Sequence, residues 1–212
     1  MKVPALVFCG DAWHPAATAR RGLATFSATG LAFEFCEDDA ACSSARLEKF
    51  DVAVLARANA VAAAKPVPWL KSDAEHGFVE LVQRGGGLLV VHAGAARYEN
   101  LPALNALIGG AFVRHPDPCL VTVEPAAGRV LTRDVKSFSA TDEHYFVRLD
   151  DARAEVFLHA KSAHGVQPAG WARTEGTGRV CVLTPGHNLD VWRHPEYQKL
   201  LLSALHWTAK TK

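Results

Sequence analysis

The sequence predicts a single α/β domain built around a mostly parallel sheet, and three observations carry this prediction. Short, wholly apolar runs occur at residues 4–9, 52–56 and 88–91, and such runs are typical of strands buried on both faces. Helical segments separate these runs, and alternation of strands with helices favours βαβ units with parallel strands. The length of 212 residues fits one domain spanning 1–212 better than two domains.

Composition and charge exclude several classes of partner. Hydrophobic residues make up 49% and charged residues 21% of the chain, so a sizeable core can form. The formal net charge of +1 favours neither nucleic acid nor an anionic membrane surface. The apolar start at 3–9 is too short for a signal peptide or a membrane span. The five scattered cysteines form no CxxC pair, which indicates reduced, mostly buried thiols in a cytoplasmic protein.

The first half of the chain predicts three strand–helix units. After the first strand, a helix runs to Phe26 and is closed by Gly30. A second strand at 32–36 and a weak helix at 43–50 precede the third strand. Two prolines and a tryptophan interrupt the next segment, and a helix that ends at Arg84 leads into the central strand.

The second half predicts further strands and two helices. A short helix with proline at its start occupies residues 102–108. A final amphipathic helix opens at Pro195, with apolar residues spaced to face the core. Between these helices, strands are predicted at 119–124, 155–159, 169–173 and 179–184. A hairpin turn at 175–178 joins the last two strands.

The central strand ends on His92, which is followed by small residues at 93–96. A polar residue at the end of a buried strand, with small neighbours that permit a sharp turn, is the pattern of a nucleophile elbow. Ligands bind at this edge of open α/β sheets. A neutral imidazole there suits general-base work or metal ligation, and a hydrogen-bonded core histidine is the alternative.

Two further histidines, His14 and His187, follow apolar runs predicted as strands, so their loops would open on the same edge as His92. Converging imidazoles suit Zn²⁺ or another divalent metal, with a carboxylate completing the shell. Glu143 is the first candidate for that carboxylate, and Asp142 is the second. The candidate metal set is His14, His92, Glu143 and His187, and the last three are also the candidate catalytic residues. A metal-free acid–base pocket and a surface cluster are the alternatives.

Four aromatic residues beside the pocket loops are candidates for substrate binding, because aromatic faces stack on the C–H surfaces of sugars. They are Trp13, Tyr98, Tyr145 and Trp192. Core packing or a rim contact is the alternative for each. The glycines at 85–87 are not a phosphate loop, because they precede a strand and no Lys-Ser/Thr pair follows. No nucleotide cofactor is therefore expected.

Several separated motifs carry a resemblance to a known family, and they occur in order along nearly the whole chain. They lie at 13–15, 85–93, 109–112, 115–116, 142–145, 176–180 and 186–187, with tryptophans at 171, 192 and 207. On these residues the chain resembles the ThuA-like family of trehalose utilisation, within the class I glutamine-amidotransferase-like superfamily. The resemblance implies a flavodoxin-like, doubly wound, mostly parallel sheet with helices on both faces. It also implies a role in sugar metabolism.

Glutaminase activity is not expected from this chain. An amidotransferase elbow carries cysteine, because a thiolate must attack the amide, whereas His92 stands at this elbow. His194 and Glu196 resemble the His-x-Glu of an amidotransferase triad. They more simply open the last helix, where a carboxylate meets the positive end of the helix dipole. His187 is the better match to the catalytic histidine of the superfamily.

The preferred function is that of an enzyme in the metabolism of trehalose or a related glycoside. It would act on a sugar or an oxidised sugar as a hydrolase, lyase or isomerase. The alternative is a non-catalytic carbohydrate-binding or interaction module that kept the fold and lost the triad. The expected partner is a small carbohydrate rather than nucleic acid or a membrane, and association into a homo-oligomer is left open.

Overall fold

The computed structural model describes residues 2–37, 44–61, 63–64 and 67–211. Every strand predicted from the sequence is present, with ends shifted by a few residues. The strands are β1 (Val3–Cys9), β2 (Leu31–Cys36), β3 (Val52–Ala56), β4 (Gly87–Val91), β5 (Gly110–Arg114), β6 (Cys119–Pro125), β7 (Phe138–Asp142), β8 (Phe146–Leu149), β9 (Glu155–Ser162), β10 (Gly165–Glu175) and β11 (Gly178–Leu183). The helices are α1 (Ala16–Leu23), α2 (Ser44–Leu47), α3 (Ser72–Gln83), α4 (Pro102–Ile108), α5 (Leu189–Arg193) and α6 (Pro195–Ala209).

A large mixed sheet of nine strands runs through the described residues, in the order β2-β1-β3-β4-β11-β10-β9-β6-β7. The first five strands of this order are parallel to their neighbours. From β11 onward, each neighbouring pair is antiparallel. The α/β class is thus confirmed and the parallel arrangement holds for one half, while the prediction of a mostly parallel sheet is corrected for the other.

The antiparallel half has local causes in the sequence. A two-residue turn, Gly176-Thr177, joins β10 to β11, and so short a turn can connect only antiparallel strands. β6 alternates between buried and more exposed residues, which is the pattern of a strand with one face open to water. β3 and β4, in the middle of the parallel half, are buried throughout, because both of their faces are covered, whereas the edge strand β2 keeps exposed residues.

Helices cover both faces of the parallel half, as predicted. Leu89 and Val91 of the central strand join a core cluster with residues of α1, α5 and α6. Leu88 and Val90 point the other way and pack with residues of α2, α3 and α4. Successive side chains of a strand point to opposite faces, so an unbroken apolar run supplies both cores at once. No helix among the described residues has the length and apolar character needed to cross a membrane.

Some features were not predicted, or lie outside the described residues. β8 pairs with β5 in a separate two-stranded sheet, and α5 precedes the final helix. The weak helix predicted at 43–50 is observed only as α2, and residue 43 lies outside the description. Cys9, Cys36 and Cys181 are buried and Cys119 is partly exposed, while Cys42 is among the residues not described.

The chain leaves β4 through a tight 3₁₀ turn, His92–Ala95, which forms the predicted elbow. His92 has a φ of +48°, in the left-handed region that L residues seldom adopt. A Cβ added to Gly94 would lie 1.9 Å from the backbone oxygen of Leu55. The turn is therefore close-packed against β3, and only glycine fits at position 94.

We expect Gly94→Ala to lower the free energy of unfolding by about 3 kcal/mol, because the added methyl must displace backbone rather than a flexible side chain. Gly128→Ala is the control. Gly128 has a φ of +76° but no atom within 4 Å of an added Cβ, so only the left-handed strain of about 1–2 kcal/mol applies. Urea unfolding measures both variants, and equal losses would contradict the close approach.

Candidate functional site

Four side chains from distant parts of the chain meet at the C-terminal edge of the parallel strands. His14 follows β1, His92 comes directly after β4, His187 follows β11, and Glu143 follows β7 from the far side of the sheet. One ligand atom from each lies within 4.8 Å of the ligand atoms of the other three. The structure therefore brings together the four residues that the sequence proposed as metal ligands.

His92 is held by a backbone carbonyl beneath the cluster. Its Nδ1 lies 2.7 Å from the oxygen of Thr184. A carbonyl only accepts, so Nδ1 donates, and in the neutral ring the lone pair then lies on Nε2. Nε2 lies 3.2 Å from Oε2 of Glu143, and the side chain is only 2% exposed. The buried ring therefore presents a ligand atom to the cluster.

His14 shows the same arrangement with a different partner. Its Nδ1 lies 2.8 Å and 3.0 Å from the two carboxylate oxygens of Asp11. Its Nε2 is buried and has no hydrogen-bond partner among the described residues. The ring centroid of His14 is 5.0 Å from that of His92 and 5.1 Å from that of His187. A second imidazole nitrogen therefore faces the cluster without a hydrogen-bond partner in the described part of the chain.

Glu143 is the centre of charge in the cluster. Its Oε1 lies 3.3 Å from Nδ1 of His187, and this nitrogen makes no well-aligned hydrogen bond in the described part of the chain. Burial raises the pKa of the Glu143 carboxyl, but the imidazoles of His187 and His92 outweigh it, and the pKa falls well below its usual range. In return, the Glu143 carboxylate raises the pKa of His187 against the opposing effect of burial.

Asp142, the second candidate carboxylate, forms hydrogen bonds with backbone groups rather than facing the histidines. It accepts hydrogen bonds from the backbone N–H groups of Gly186 (2.8 Å) and His187 (2.9 Å). Asp142 ends β7 and is buried, so its carboxylate is used to hold the loop after β11. Glu143, one residue further along, is the carboxylate that faces the histidines.

The cluster fits a divalent cation. In their neutral forms, His14 and His92 bring two Nε2 lone pairs to the Glu143 carboxylate. Two buried imidazole nitrogens of the cluster, Nε2 of His14 and Nδ1 of His187, lack a hydrogen bond within the described residues. Acceptors that face one another without a donor repel, and a cation among them would satisfy all of them. Histidine nitrogens with one carboxylate are a donor set that suits Zn²⁺ and other first-row divalent metals.

The four aromatic candidates occupy different environments. Tyr145 stacks on His92, with ring centroids 4.1 Å apart, and Trp13 is 40% exposed next to His14. Tyr98 is buried, and its hydroxyl donates to the oxygen of Arg57. Trp192 is also buried, and its Nε1 donates to the oxygen of Gly186. Tyr98 and Trp192 thus support the backbone around the site, and substrate contact by any of the four stays a prediction.

His115 belongs to the site more closely than the sequence indicated. Its Nε2 lies 3.5 Å from Oε1 of Glu143, and its Nδ1 lies 2.8 Å from the oxygen of Pro116. The side chain is 34% exposed, so it stands at the rim of the cluster. Residues 115–116 entered the sequence-based prediction only as one of the motifs that carry the family resemblance. The available signal was the position of His115 directly after a short apolar segment that the structure shows as β5.

The residues that resemble an amidotransferase triad do not enter the cluster. His194 caps α6, where its side chain accepts from the backbone N–H of Glu196, and its ring stacks on Phe138. Cys9 ends β1, and burial raises the pKa of its thiol to about 12. A neutral buried thiol is a poor nucleophile, and His92 occupies the elbow itself.

The comparisons with known proteins identify the family and agree with the fold. A family model described as ThuA, trehalose utilisation, matches residues 5–208. No protein with a curated description matches the chain. Among solved structures, a ThuA-like protein of Parabacteroides merdae is similar with a TM-score of 0.78 and 16% identity, covering 99% of this chain and 90% of the other. A ThuA-like protein of Bacteroides uniformis is similar with a TM-score of 0.72 and 18% identity, covering 97% and 91%.

The fold is also similar to part of a larger enzyme. A β-galactosidase of Rahnella sp. R3 matches with a TM-score of 0.71 and 15% identity over the whole of this chain, but over only 32% of its own length. At such identities the likeness establishes the fold alone.

We expect His92→Ala to cost less stability than Leu89→Ala. Removing Leu89 leaves a cavity in the core and should lower the free energy of unfolding by about 2–5 kcal/mol. Removing His92 leaves the Thr184 carbonyl without its donor, at a cost of about 1–3 kcal/mol, and relieves the strained φ. Urea unfolding of the metal-free protein compares the two variants. If His92→Ala is the more destabilising, His92 is primarily a core residue.

Proposed function

Because the chain belongs to the ThuA family of trehalose utilisation, we propose that it is a metal-dependent enzyme acting on a sugar or an oxidised sugar. His14, His92, Glu143 and His187 would hold the metal, with Zn²⁺ as the first candidate. One observation carries the proposal: these four side chains converge at the ligand-binding edge of the sheet, with imidazole nitrogens that no described residue satisfies. The family supplies the class of substrate, and the cluster supplies the chemistry.

The chemistry follows from the charges of the site. A divalent metal held by His14, His92, Glu143 and His187 would supply Lewis-acid chemistry, either polarising a carbonyl or hydroxyl oxygen of the substrate or lowering the pKa of a water molecule. His115 stands outside the four ligands, at the rim, and its Nε2 is the nitrogen left to accept a proton. Trp13 offers an exposed aromatic face beside His14 for a sugar ring. These roles suit hydrolysis, elimination or isomerisation, since each needs a proton moved next to an activated oxygen.

One observation favours a second candidate function, that of a carbohydrate-binding or interaction module. The chain matches about a third of the length of a β-galactosidase, so the same fold occurs as one part of a larger glycosidase. A carbohydrate-binding or interaction module would use the same fold without chemistry at the strand ends. In that case the four-residue cluster would stabilise the loops and take no part in a reaction.

Metal binding is the first test. Protein stripped with a chelator and reloaded with Zn²⁺ or Co²⁺ should bind one equivalent by elemental analysis. His92→Ala and Glu143→Gln should each weaken binding by more than about 100-fold, because loss of a ligand exceeds loss of an outer partner. His159→Ala is the matched control, because His159 is a partly buried histidine of β9 outside the cluster. Binding that is absent in the wild type, or equal in all variants, would contradict the metal site.

An assay of sugar conversion distinguishes the proposed enzyme from the binding module. We expect the metal-loaded protein to convert trehalose, a related glycoside or a carbonyl-containing oxidised derivative, followed by ¹H NMR of the sugar. His115→Ala should reduce the rate by about 10²–10⁴-fold and leave metal stoichiometry unchanged, because proton transfer contributes that much. Saturable sugar binding with no conversion over the whole panel would favour the binding module.

A further inference from the structure

Asp11 is an acidic residue that contacts the site but was not among the candidates predicted from the sequence. It lies two residues after β1, and its side chain is fully buried. The carboxylate accepts backbone N–H groups from Trp13 (2.8 Å), His14 (2.9 Å) and Ala58 (2.7 Å). Both of its oxygens also contact Nδ1 of His14. A single carboxylate thus binds the loop after β1, the loop after β3 and one imidazole of the cluster.

Both oxygens of the carboxylate face hydrogen-bond donors. Oδ1 accepts from the backbone N–H groups of Trp13 and His14, and Oδ2 accepts from that of Ala58. Nδ1 of His14 lies 2.8 Å and 3.0 Å from the same two oxygens, and a side chain that accepts on both oxygens places the proton of this contact on Nδ1. In a neutral imidazole the lone pair then lies on Nε2, which is the buried nitrogen that faces the cluster without a partner.

We propose that Asp11 is the positioning residue that fixes His14 as the Nδ1–H tautomer and aims its Nε2 at the cluster. The comparison with His92 supports this role, since that ring is fixed in the same tautomer by the Thr184 carbonyl. Outer partners of this kind orient a ligand ring, so Asp11 also bears on metal affinity. The consequence for metal affinity rests on the proposed function, whereas the tautomer does not.

The tautomer is measured on metal-free protein. Two-bond ¹H–¹⁵N correlation spectra distinguish protonated from unprotonated ring nitrogens, and the resonances that disappear in His14→Gln are those of His14. We expect the Nδ1–H form in the wild type. In Asp11→Asn the amide accepts less strongly, and we expect a substantial Nε2–H population. An Nε2–H form in the wild type, or a tautomer unchanged in Asp11→Asn, would overturn the proposal.

Asp142→Asn is the matched control. Asp142 is also buried and accepts two backbone N–H groups of a site loop, but it has no contact with the ring of His14. Both variants should lower the unfolding temperature, while only Asp11→Asn should change the His14 tautomer. A role of Asp11 limited to loop stability would lower the unfolding temperature and leave the tautomer as in the wild type.

Metal affinity provides the second readout. In a Co²⁺ titration followed by visible absorption, Asp11→Asn should bind about 10- to 100-fold more weakly than the wild type and with an altered spectrum. If the wild type binds Co²⁺ and Asp11→Asn binds equally well, the positioning role is wrong. If the wild type binds no metal, the proposed function fails, and the tautomer measurement alone decides the role of Asp11.

Discussion

The site depends on the meeting of a buried carboxylate with imidazole nitrogens that have few other partners. Glu143 faces His92, His187 and His115 at 3.2–3.5 Å, and burial makes an uncompensated charge there costly. The lowered pKa of Glu143 and the raised pKa of His187 have the same cause, because the cluster attracts positive charge. A proton on His187 would supply part of that charge, and a divalent cation would supply more.

The mixed sheet makes this meeting possible. The strands before His14, His92 and His187 are parallel, so their C-terminal ends lie on one edge. Four reversals of direction after β11 return β7 to the same orientation, so Glu143 also emerges on that edge. The antiparallel half, which the sequence did not predict as such, therefore delivers the carboxylate to a site that the parallel half provides with histidines.

The sequence was sufficient to predict which histidines lie in the loops directly after buried strands. An apolar run shows where a buried strand stops, and the loops with His14, His92 and His187 begin at such points. Side-chain networks were harder to infer, because they depend on which strands become neighbours. Asp11 reaches Ala58 across 47 positions of sequence, and His115 reaches Glu143 from another sheet, so no local pattern reveals either contact.

The aromatic candidates show a second reason why the sequence alone does not define the site. A tryptophan or tyrosine near a pocket loop can face either the ligand or the core, and the residue type does not decide between them. Trp192 lies against Gly22 of α1, where an added Cβ would come within 2.5 Å of its ring, and this packing fixes it inside the protein. Trp13 lies next to a similar loop but is exposed, with the guanidinium of Arg97 over its ring at 5.0 Å.

The cluster itself bears on the choice between an enzyme and a binding module. A module that only holds a sugar needs aromatic faces and polar groups near the surface, and Trp13 and the rim residues provide these. Sugar binding alone does not require His92 to be 2% exposed with a left-handed backbone conformation. Nor does it require buried imidazole nitrogens, each of which costs about 1–3 kcal/mol when it has no hydrogen-bond partner. Such costs are typical of positions where strain and desolvation serve a reaction. The arrangement of His14, His92, Glu143 and His187 therefore favours catalysis at the strand ends over binding alone.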